Sequence, residues 1–504
     1  MNNFKQKLSA AVHGRNLPSA TVTVIIIVSV ILLNMILYTI GSNYPMYLRF
    51  DEEPDMSVSD ASDENFAAAQ ARGEKVTVTF CMYRDDVKKH TTGQYVLDTA
   101  EQFAKKYPNF IEIKYINIIT QLDSEGNTID VDLYKSFAEA NEVTLSRYSV
   151  IFECGNKMKV LTDTYSGLGY ADVFTFDSAG NATSYSGEEM FASMVNFVIR
   201  EGETKYAYFT TGHSELPSLN LYNLLTKAGY VVKEINLRKV DKVPDNAGLV
   251  IISNPLSDFE RAAEGSNLYS EIERLRAYAD RGGNFLVTLD PYAGKTPVLE
   301  SFLSEFGFAL NRTDKGEAHI LKDDTNGITT DGFTLIASYA DDEICSAVKA
   351  KTDISGGNII LSNVGTLGLS GSAKALLVSS DSAVAEAAGS SVSEAGVHVI
   401  AGYSENEREG GAVASMVVMP SVYLTAADAI VTNGYANKDF IYALCETFYE
   451  CYGMVYGANN YVYDDAVLEN LTMSTARIYT AIAVAIPVIL TATGAVIVIR
   501  RKNR

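Results

Sequence analysis

Four consecutive residues near the middle of the chain, Gly212-His213-Ser214-Glu215, have types and spacing that could do chemistry. They follow an apolar run at Lys205 to Thr210, which predicts a strand, and they precede a segment with helical spacing of apolar residues. The N–H groups and dipole of a helix N-terminus attract anions, and a histidine beside a carboxylate can bind a ligand or transfer a proton. The alternative is structural: the glycine forms the turn, the serine or glutamate caps the helix, and the histidine packs on the loop.

A further candidate, Asp290, follows the apolar run Asn284 to Leu289 and precedes Pro291. Cysteine–histidine or serine–histidine catalysis needs a nucleophile, and the sequence Leu289-Asp290-Pro291-Tyr292 contains neither Cys nor Ser. Asp290 therefore either forms a turn with the proline or supplies an acidic contact to a ligand or cation.

The stretch that must position these residues runs from Lys205 to Pro291 and predicts the order strand, helix, strand, strand, helix, strand. Strands are predicted at 205–210, 231–236, 248–253 and 284–289, and a helix at 268–281. This alternation predicts a parallel sheet with right-handed crossovers. Ligands of such sheets bind beyond the carboxyl ends of the strands, which is where both candidate turns lie. Later strands and helices extend this predicted α/β domain over residues 202–457.

Residues 75–201 precede it with the predicted order βαβαββα, which resembles a thioredoxin-like domain. The last helix is predicted to begin with a Ser-x-x-Glu capping box at Ser186. Redox chemistry would need a second thiol, but the first strand is followed by Cys81-Met82-Tyr83-Arg84, with no CxxC motif. We therefore expect this domain to act through its surface and not through thiol redox chemistry.

Two uncharged apolar segments, 21–40 and 478–499, are each long enough to cross a bilayer as a helix. The flanking tails, 1–20 and 500–504, carry seven basic residues and no acid, which predicts that both are cytoplasmic. An acidic linker at 41–74 and a membrane-proximal segment at 458–477 would then join the spans to a large extracytoplasmic part, in contact with membrane lipid.

The part between the tails holds 34 basic and 62 acidic residues, a net charge of −28, which disfavours binding to nucleic acid. The chain has five cysteines, an odd number, without metal-ligand spacing, so neither a disulfide framework nor a metal site is expected. There is no Walker A glycine loop, and we expect no bound cofactor.

The central residues also resemble a known family. The Gly-His-x-Glu turn at 212–215, the segment PDNAGLVIISNP at 244–255 and the segment YADRGGNFLVTLDP at 278–291 are similar to gliding-motility-type (GldG-like) ABC transporter auxiliary proteins. The Ser-Gly-Glu helix start at 186, the segment 421–444 and the Arg-Arg end of the second apolar segment extend the resemblance. It implies a membrane-anchored extracytoplasmic subunit beside an ABC permease and its ATPase, with a central domain similar to the class I glutamine amidotransferase-like fold.

Two function classes follow from these observations. The first is a non-catalytic auxiliary subunit of a bacterial ABC transporter in the cytoplasmic membrane, which binds an extracytoplasmic ligand or braces the permease. The second is an extracytoplasmic hydrolase that uses His213, Glu215 and Asp290. Gly212 to Glu215 and Asp290 are the candidate ligand-binding residues of the first class.

Overall fold

The computed structural model describes residues 58–116, 145–161, 173–176, 182–215, 218–261, 270–354, 357–408, 410–426, 429–430, 435–451, 453–458 and 461–462. All of them belong to the larger of two compact units, which begins at Met56. The predicted spans at 21–40 and 478–499 and both tails lie outside the described residues, as do residues 131–140, where the second helix of the βαβαββα order is predicted. Within the described ranges, no helix combines the length and the hydropathy that crossing a bilayer requires.

The first sheet of the described chain has four strands in the order β2-β1-β3-β4. The elements up to the end of its last helix are α1 (Asp63–Ala71), β1 (Val76–Phe80), α2 (Arg84–Lys89), α3 (Gly93–Lys106), β2 (Ile111–Tyr115), β3 (Val150–Cys154), β4 (Lys157–Leu161), β5 (Phe174–Phe176), β6 (Ala182–Tyr185) and α4 (Gly187–Ile199). β1 is parallel to β2, whereas β3 is antiparallel to both β1 and β4. Phe103 of α3 and Phe191 of α4 stack with ring centroids 4.4 Å apart in the core beneath this sheet.

A nine-stranded sheet forms the centre of the molecule. The elements that follow α4 are β7 (Tyr206–Thr210), α5 (Leu219–Lys227), β8 (Val231–Ile235), β9 (Ala247–Ser253), α6 (Glu271–Ala279), β10 (Asn284–Thr288), α7 (Pro297–Glu305), β11 (Phe308–Leu310), β12 (Ile320–Lys322), β13 (Thr334–Tyr339), α8 (Glu343–Thr352), β14 (Ile359–Ser362), β15 (Leu367–Leu369), β16 (Lys374–Val378), β17 (Val384–Ala387), β18 (Ser390–Ser391), β19 (Val399–Glu407), β20 (Val413–Met419), α9 (Asn437–Phe448) and β21 (Tyr461–Val462). The strand order in the nine-stranded sheet is β14-β13-β16-β19-β20-β10-β9-β7-β8.

The predicted parallel sheet is confirmed for one half of these strands. β8, β7, β9, β10 and β20 pair parallel, and β20, β19, β16, β13 and β14 continue the sheet antiparallel. Alternate residues of the parallel strands enter two cores: Leu249 and Ile251 face the core beneath α5, α8 and α9, while Val250 and Ile252 face the core beneath α6 and α7. A strand that is buried on both faces must be apolar throughout, which is why β9 is a continuous apolar run.

The Gly-rich and Ser-rich region after α7 contributes two small sheets beside the main one. β11 pairs with β15, and β17 pairs with both β12 and β18. The hairpin between β17 and β18 and the connection between β11 and β12 therefore lie next to the segment that follows β10, where they form one side of a cleft. The later strands predicted for the domain at 202–457 include one at 429–432, and the first two residues of that segment are helical instead.

A buried ionic contact, which we call the Glu189 junction, joins α4 to the central sheet's helices. The Glu189 carboxylate lies 3.3 Å from Lys227 Nζ of α5 and 3.4 Å from Lys438 Nζ of α9, and it accepts a hydrogen bond of 2.6 Å from Tyr442 Oη. Ser186 makes no side-chain capping bond, so the predicted capping box is wrong because its glutamate is used here instead. Burial alone would raise the pKa of Glu189, but the two ammonium charges and the hydroxyl lower it to about 2.

We expect the substitution Glu189→Gln to lower the free energy of unfolding by about 3–5 kcal/mol, because it leaves two mostly buried ammonium groups without their carboxylate. The measurement is the thermal unfolding of the full-length chain in detergent at pH 7. Because the pKa of Glu189 is lowered in the folded state, its contribution is present above about pH 4.5 and is lost as the pH falls towards 2.

The matched control is Glu112→Gln on β2, where the side chain is 66% exposed and lies 3.8 Å from Lys114 Nζ. An exposed ion pair contributes at most about 1 kcal/mol, so this variant should unfold close to the wild-type temperature. Equal effects of the two substitutions would contradict the structural role given to the Glu189 junction.

Candidate functional site

The candidate residues after β7 lie at the point where the strand order of the parallel sheet reverses. The chain crosses from β7 to β8 on one side and then places β9 on the other side of β7. The loops that leave the carboxyl ends of β7 and β9 therefore diverge to opposite faces of the sheet. In open α/β sheets, this is the position where ligands bind.

His213 is held between two glutamates at this position. Its Nδ1 lies 2.9 Å from Glu215 Oε1 and its Nε2 lies 2.9 Å from Glu271 Oε2. The imidazole ring stacks on Phe259 with a centroid distance of 3.8 Å. Arg238 Nε lies 3.4 Å from Glu271 Oε1, which completes a group of two cations and two anions that we call the His213 cluster.

Backbone groups tie the same residues into both loops. The His213 N–H donates to Glu215 Oε2 at 2.7 Å, and the His213 carbonyl accepts from the N–H groups of Leu256 and Ser257 in the loop after β9. Glu271 Oε2 also accepts a bond of 2.8 Å from the Glu260 N–H. The His213 cluster thus connects the loop after β7, the loop after β9 and the first turn of α6.

The charges of the cluster stabilise one another away from water. The His213 and Glu271 side chains are 0% and 1% exposed. Burial by itself would lower the pKa of His213, but hydrogen bonds to Glu215 and Glu271, followed by their charges, raise it to about 9. Burial opposes ionisation of the glutamates as well, and the hydrogen bonds to His213 lower the pKa of both. His213 is therefore an imidazolium at neutral pH, with an N–H for each carboxylate.

The other two residues of the predicted turn shape its backbone. Gly212 has a φ of +117°, and a Cβ there would lie 3.1 Å from Asn236 Nδ2. Ser214 also has a positive φ, of 54°, and its side chain is exposed. The turn requires glycine at its first position, since an L side chain rarely adopts that conformation. Gly212 thus forms the turn and His213 points inward. The helix cap expected of Ser214 or Glu215 is supplied by Ser218 instead, and Glu215 bonds His213.

The helix N-termini near the cluster already have oxygen partners. Ser218 Oγ accepts from the Leu221 N–H at the start of α5, and Ser270 and Glu273 form a capping box on α6. The carboxylate of Asp258 accepts from the N–H groups of Val298 and Leu299 at the start of α7. The N–H groups at the start of each of these helices are therefore bonded to a hydroxyl or carboxylate oxygen of the chain itself, where a bound anion could otherwise lie.

Asp290 is separate from the His213 cluster in its hydrogen bonding. Its Oδ1 accepts from the Tyr292 N–H at 2.9 Å, which is the turn that the Asp-Pro sequence predicted. The structure thus brings together Gly212, His213, Ser214 and Glu215, and it does not bond Asp290 to them. In the part of the chain that the structure describes, no group of three His, Cys, Asp or Glu side chains could hold a metal ion.

Sequence reasoning missed three members of this arrangement: Glu271, Arg238 and Phe259. Glu271 lies off the apolar face that helical spacing predicts for residues 268–281, yet it is 1% exposed. A Ser-x-x-Glu signal at Ser270 and Glu273 could have located the start of α6 and so placed Glu271 in its first turn. The contact itself spans 58 residues, and no local pattern encodes it.

What this arrangement can do chemically depends on which of its nitrogen and oxygen atoms already have hydrogen-bond partners. A general base or a metal ligand needs a nitrogen lone pair, and both ring nitrogens of His213 face carboxylates at hydrogen-bond distance. Glu215 and Oε2 of Glu271 likewise accept from the imidazolium and from backbone N–H groups. Oε1 of Glu271 has no hydrogen-bond partner among the described residues and lies 3.4 Å from Arg238 Nε. The His213 cluster is therefore built to hold two loops and a helix in a fixed arrangement.

Comparisons with known proteins do not assign a function to this site. No protein-family model matches the chain, and a search of curated proteins finds no significant match. Among solved structures, the mmIFT52 N-terminal domain is 15% identical with a TM-score of 0.35, covering 48% of this chain and 96% of that one. PurLQS from Thermotoga maritima is 11% identical with a TM-score of 0.30, covering 48% and 99%. A cold-adapted β-galactosidase from Rahnella sp. R3 is 14% identical with a TM-score of 0.28, covering 52% and 33%. Similarities this weak carry no argument about function.

We expect His213→Gln to destabilise the protein by about 3–5 kcal/mol at pH 6, because it leaves two buried carboxylates without their shared cation. The raised pKa of His213 sets the sign of the pH dependence: its stabilising effect is complete below about pH 6.5 and is lost as the pH rises through about 9. The difference in unfolding temperature between wild type and variant should therefore shrink between pH 6.5 and 9.5.

His319→Gln is the matched control, since His319 is half-buried on the connection between β11 and β12. It should unfold within about 1 kcal/mol of wild type, as most substitutions outside a buried network do. A wild-type advantage over His213→Gln that stays constant up to pH 9.5 would mean that His213 is not held as an imidazolium.

Proposed function

We propose that the chain is a membrane-anchored extracytoplasmic auxiliary subunit of a bacterial ABC transporter and that it is not an enzyme. The observation that carries the non-catalytic part is the burial and saturation of His213, since catalysis by this residue would require a free ring nitrogen. The transporter part rests on the resemblance of the central motifs to GldG-like auxiliary proteins and on the two apolar segments, 21–40 and 478–499.

The proposed architecture is a thioredoxin-like part followed by a part similar to the class I glutamine amidotransferase-like fold. The order β2-β1-β3-β4, with one parallel and two antiparallel pairings, supports the first assignment. The parallel strands β8, β7, β9, β10 and β20 with helices on both faces support the second. We propose that the first part acts as a scaffold without thiol redox chemistry and the second as a scaffold without nucleophilic catalysis.

The thiols support this interpretation. All five cysteines are free, and four of them are buried. Burial raises the pKa of Cys81, at the end of β1, to about 12, and it raises the pKa of Cys345 to about 11. The thiolate is the reactive form of cysteine, so these side chains behave as small apolar residues.

The proposed partners are an ABC permease and its ATPase, with membrane lipid around the two anchors. We expect the full-length protein, extracted from its native membrane in mild detergent, to co-purify with both subunits in a fixed ratio by mass spectrometry. Crosslinking before extraction keeps weaker complexes intact. Recovery of the protein alone, with and without crosslinking, would contradict the transporter proposal.

The hydrolase alternative makes a different prediction for the same residues. If His213 and Asp290 were catalytic, His213→Gln and Asp290→Asn would each abolish hydrolysis by the purified protein while both variants stayed folded. On our proposal, His213→Gln lowers stability, and Asp290→Asn changes unfolding by less than about 1 kcal/mol, since Asp290 is only half-buried. Hydrolysis of ester, amide or glycoside reporter substrates that is lost in Asp290→Asn would overturn the non-catalytic assignment.

A further inference from the structure

A cleft of about 590 Å³ opens at Pro291, the residue that follows Asp290. Its walls are the segment Pro291 to Lys295, the connection between β11 and β12, and the hairpin between β17 and β18. Small-molecule sites in proteins have volumes of roughly 300–1,000 Å³ and occur preferentially at the carboxyl ends of parallel strands. The cleft follows β10 directly and has a suitable size for a small organic molecule.

The cleft is basic, although the chain as a whole is strongly acidic. Lys295, Arg312 and Lys315 line it, against two acidic residues, Glu317 and Glu386, whereas the whole chain has a net charge of −21. Neither lysine has an acidic partner among the described residues, and both are exposed. Glu386 lies 3.9 Å from Lys322 Nζ, so part of its charge is already compensated. The lining therefore carries a small excess of positive charge, which attracts an anion although the chain as a whole is acidic.

Arg312 gives the cleft a fixed cationic group. Its Nη1 donates to the Gly316 carbonyl at 2.9 Å and its Nη2 to Glu300 Oε1 at 3.2 Å, and the side chain is 10% exposed. Its Nε is buried and has no hydrogen-bond partner among the residues that the structure describes, so a ligand in the cleft does not reach this atom. Glu300 compensates part of the guanidinium charge, and Arg312 attracts an oxyanion in the cleft through the remainder.

The backbone also holds Lys295 against the same wall. A Cβ at Gly316 would lie 2.3 Å from Lys295 Cε, so the aliphatic part of the lysine crosses the backbone at this glycine. Gly316 additionally has a φ of +91°, a conformation that favours glycine. The turn at 316 thus brings the ammonium group of Lys295 and the guanidinium of Arg312 to one side of the cleft.

Aromatic and apolar side chains supply the remaining surface. Tyr292 is 65% exposed, with its hydroxyl bonded to Asn363 Oδ1 at 3.0 Å, and Phe333 and Ile320 also line the cleft. An exposed tyrosine whose hydroxyl is fixed presents its ring face for stacking. A ligand that combines an anionic group with a flat or apolar part matches both halves of the lining.

We propose that this cleft binds a small organic anion, with a carboxylate or phosphate group directed at Lys295, Arg312 and Lys315 and a ring or apolar part against Tyr292 and Phe333. The proposal goes beyond the transporter assignment, since it concerns the cleft alone and holds whether or not a permease binds. His213, by contrast, directs both ring nitrogens at carboxylates and has no N–H to offer such a ligand.

The test is calorimetric titration of the full-length chain in detergent with inorganic phosphate, phenyl phosphate, citrate and benzoate at constant ionic strength. We expect at least one of the four anions to bind, and we expect Lys295→Ala combined with Lys315→Ala to weaken that binding at least tenfold. Tighter binding of the phosphates or of the carboxylates identifies which oxyanion the site prefers.

The matched control removes the same charge elsewhere, through Lys239→Ala combined with Lys349→Ala, two exposed lysines outside the cleft. This control should change affinity less than twofold. Absence of binding by all four anions, or equal weakening by both double variants, would overturn the proposal, since the attraction would then be absent or belong to the surface in general.

The aromatic part is tested with the same ligands. Stacking on a tyrosine ring is worth about 0.5–1.5 kcal/mol, so phenyl phosphate should bind about twofold to twelvefold more tightly than inorganic phosphate. Tyr292→Ala should remove this gain and leave the affinity for inorganic phosphate unchanged. Equal affinities of the two phosphates for the wild-type protein would contradict the place given to Tyr292 and Phe333.

Discussion

The arrangement of the carboxyl edge of the main sheet depends on one charged contact, the imidazolium of His213 between Glu215 and Glu271. It lies where β7 and β9 send their chains to opposite faces of the sheet, so the hydrophobic cores on those faces do not by themselves fix the relation between the loops. Four charges in close contact fix it instead, because hydrogen bonds are directional and apolar packing is not. Removal of His213 leaves Glu215 and Glu271 without their shared cation, so the cluster is stable only when these three side chains keep this geometry.

The Glu189 junction is a second buried ionic contact that fixes how separate elements meet. There, one carboxylate and two lysines join α4 to α5 and α9, and thus join the first sheet's last helix to the helices of the main sheet. Arg200 adds hydrogen bonds to the carbonyl groups of Ala228 and Gly229 close by. Buried ion pairs contribute little net stability over apolar packing, but they tolerate few alternative arrangements. Both ionic contacts therefore serve to specify how elements meet.

The elements of the parallel half were predictable because their cores leave a strong local signal. The strands at 206–210, 231–235, 247–253 and 284–288 lie within a residue or two of the predicted bounds, since burial on both faces requires unbroken apolar runs. The candidate turn was found for the same local reason, as its glycine and histidine follow a strand. The partners of His213 were not, because Glu271 and Arg238 reach it across distant parts of the chain. At Ser186 the local pattern is present but the local structure that it predicts is not formed. Glu189, the glutamate of the capping-box pattern, instead contacts lysines that only the tertiary fold brings close.

The most direct test of this account is the protonation state of His213, read from the imidazole nitrogen resonances of protein labelled with ¹⁵N-histidine. The chain has only five histidines, and His213→Gln assigns the signal. The account predicts that the two ring nitrogens of His213 keep imidazolium shifts at pH 8 and titrate near pH 9, since the carboxylates of Glu215 and Glu271 raise its pKa. A neutral imidazole at pH 7, with one nitrogen unprotonated, would contradict the account and would return His213 to the candidates for catalysis.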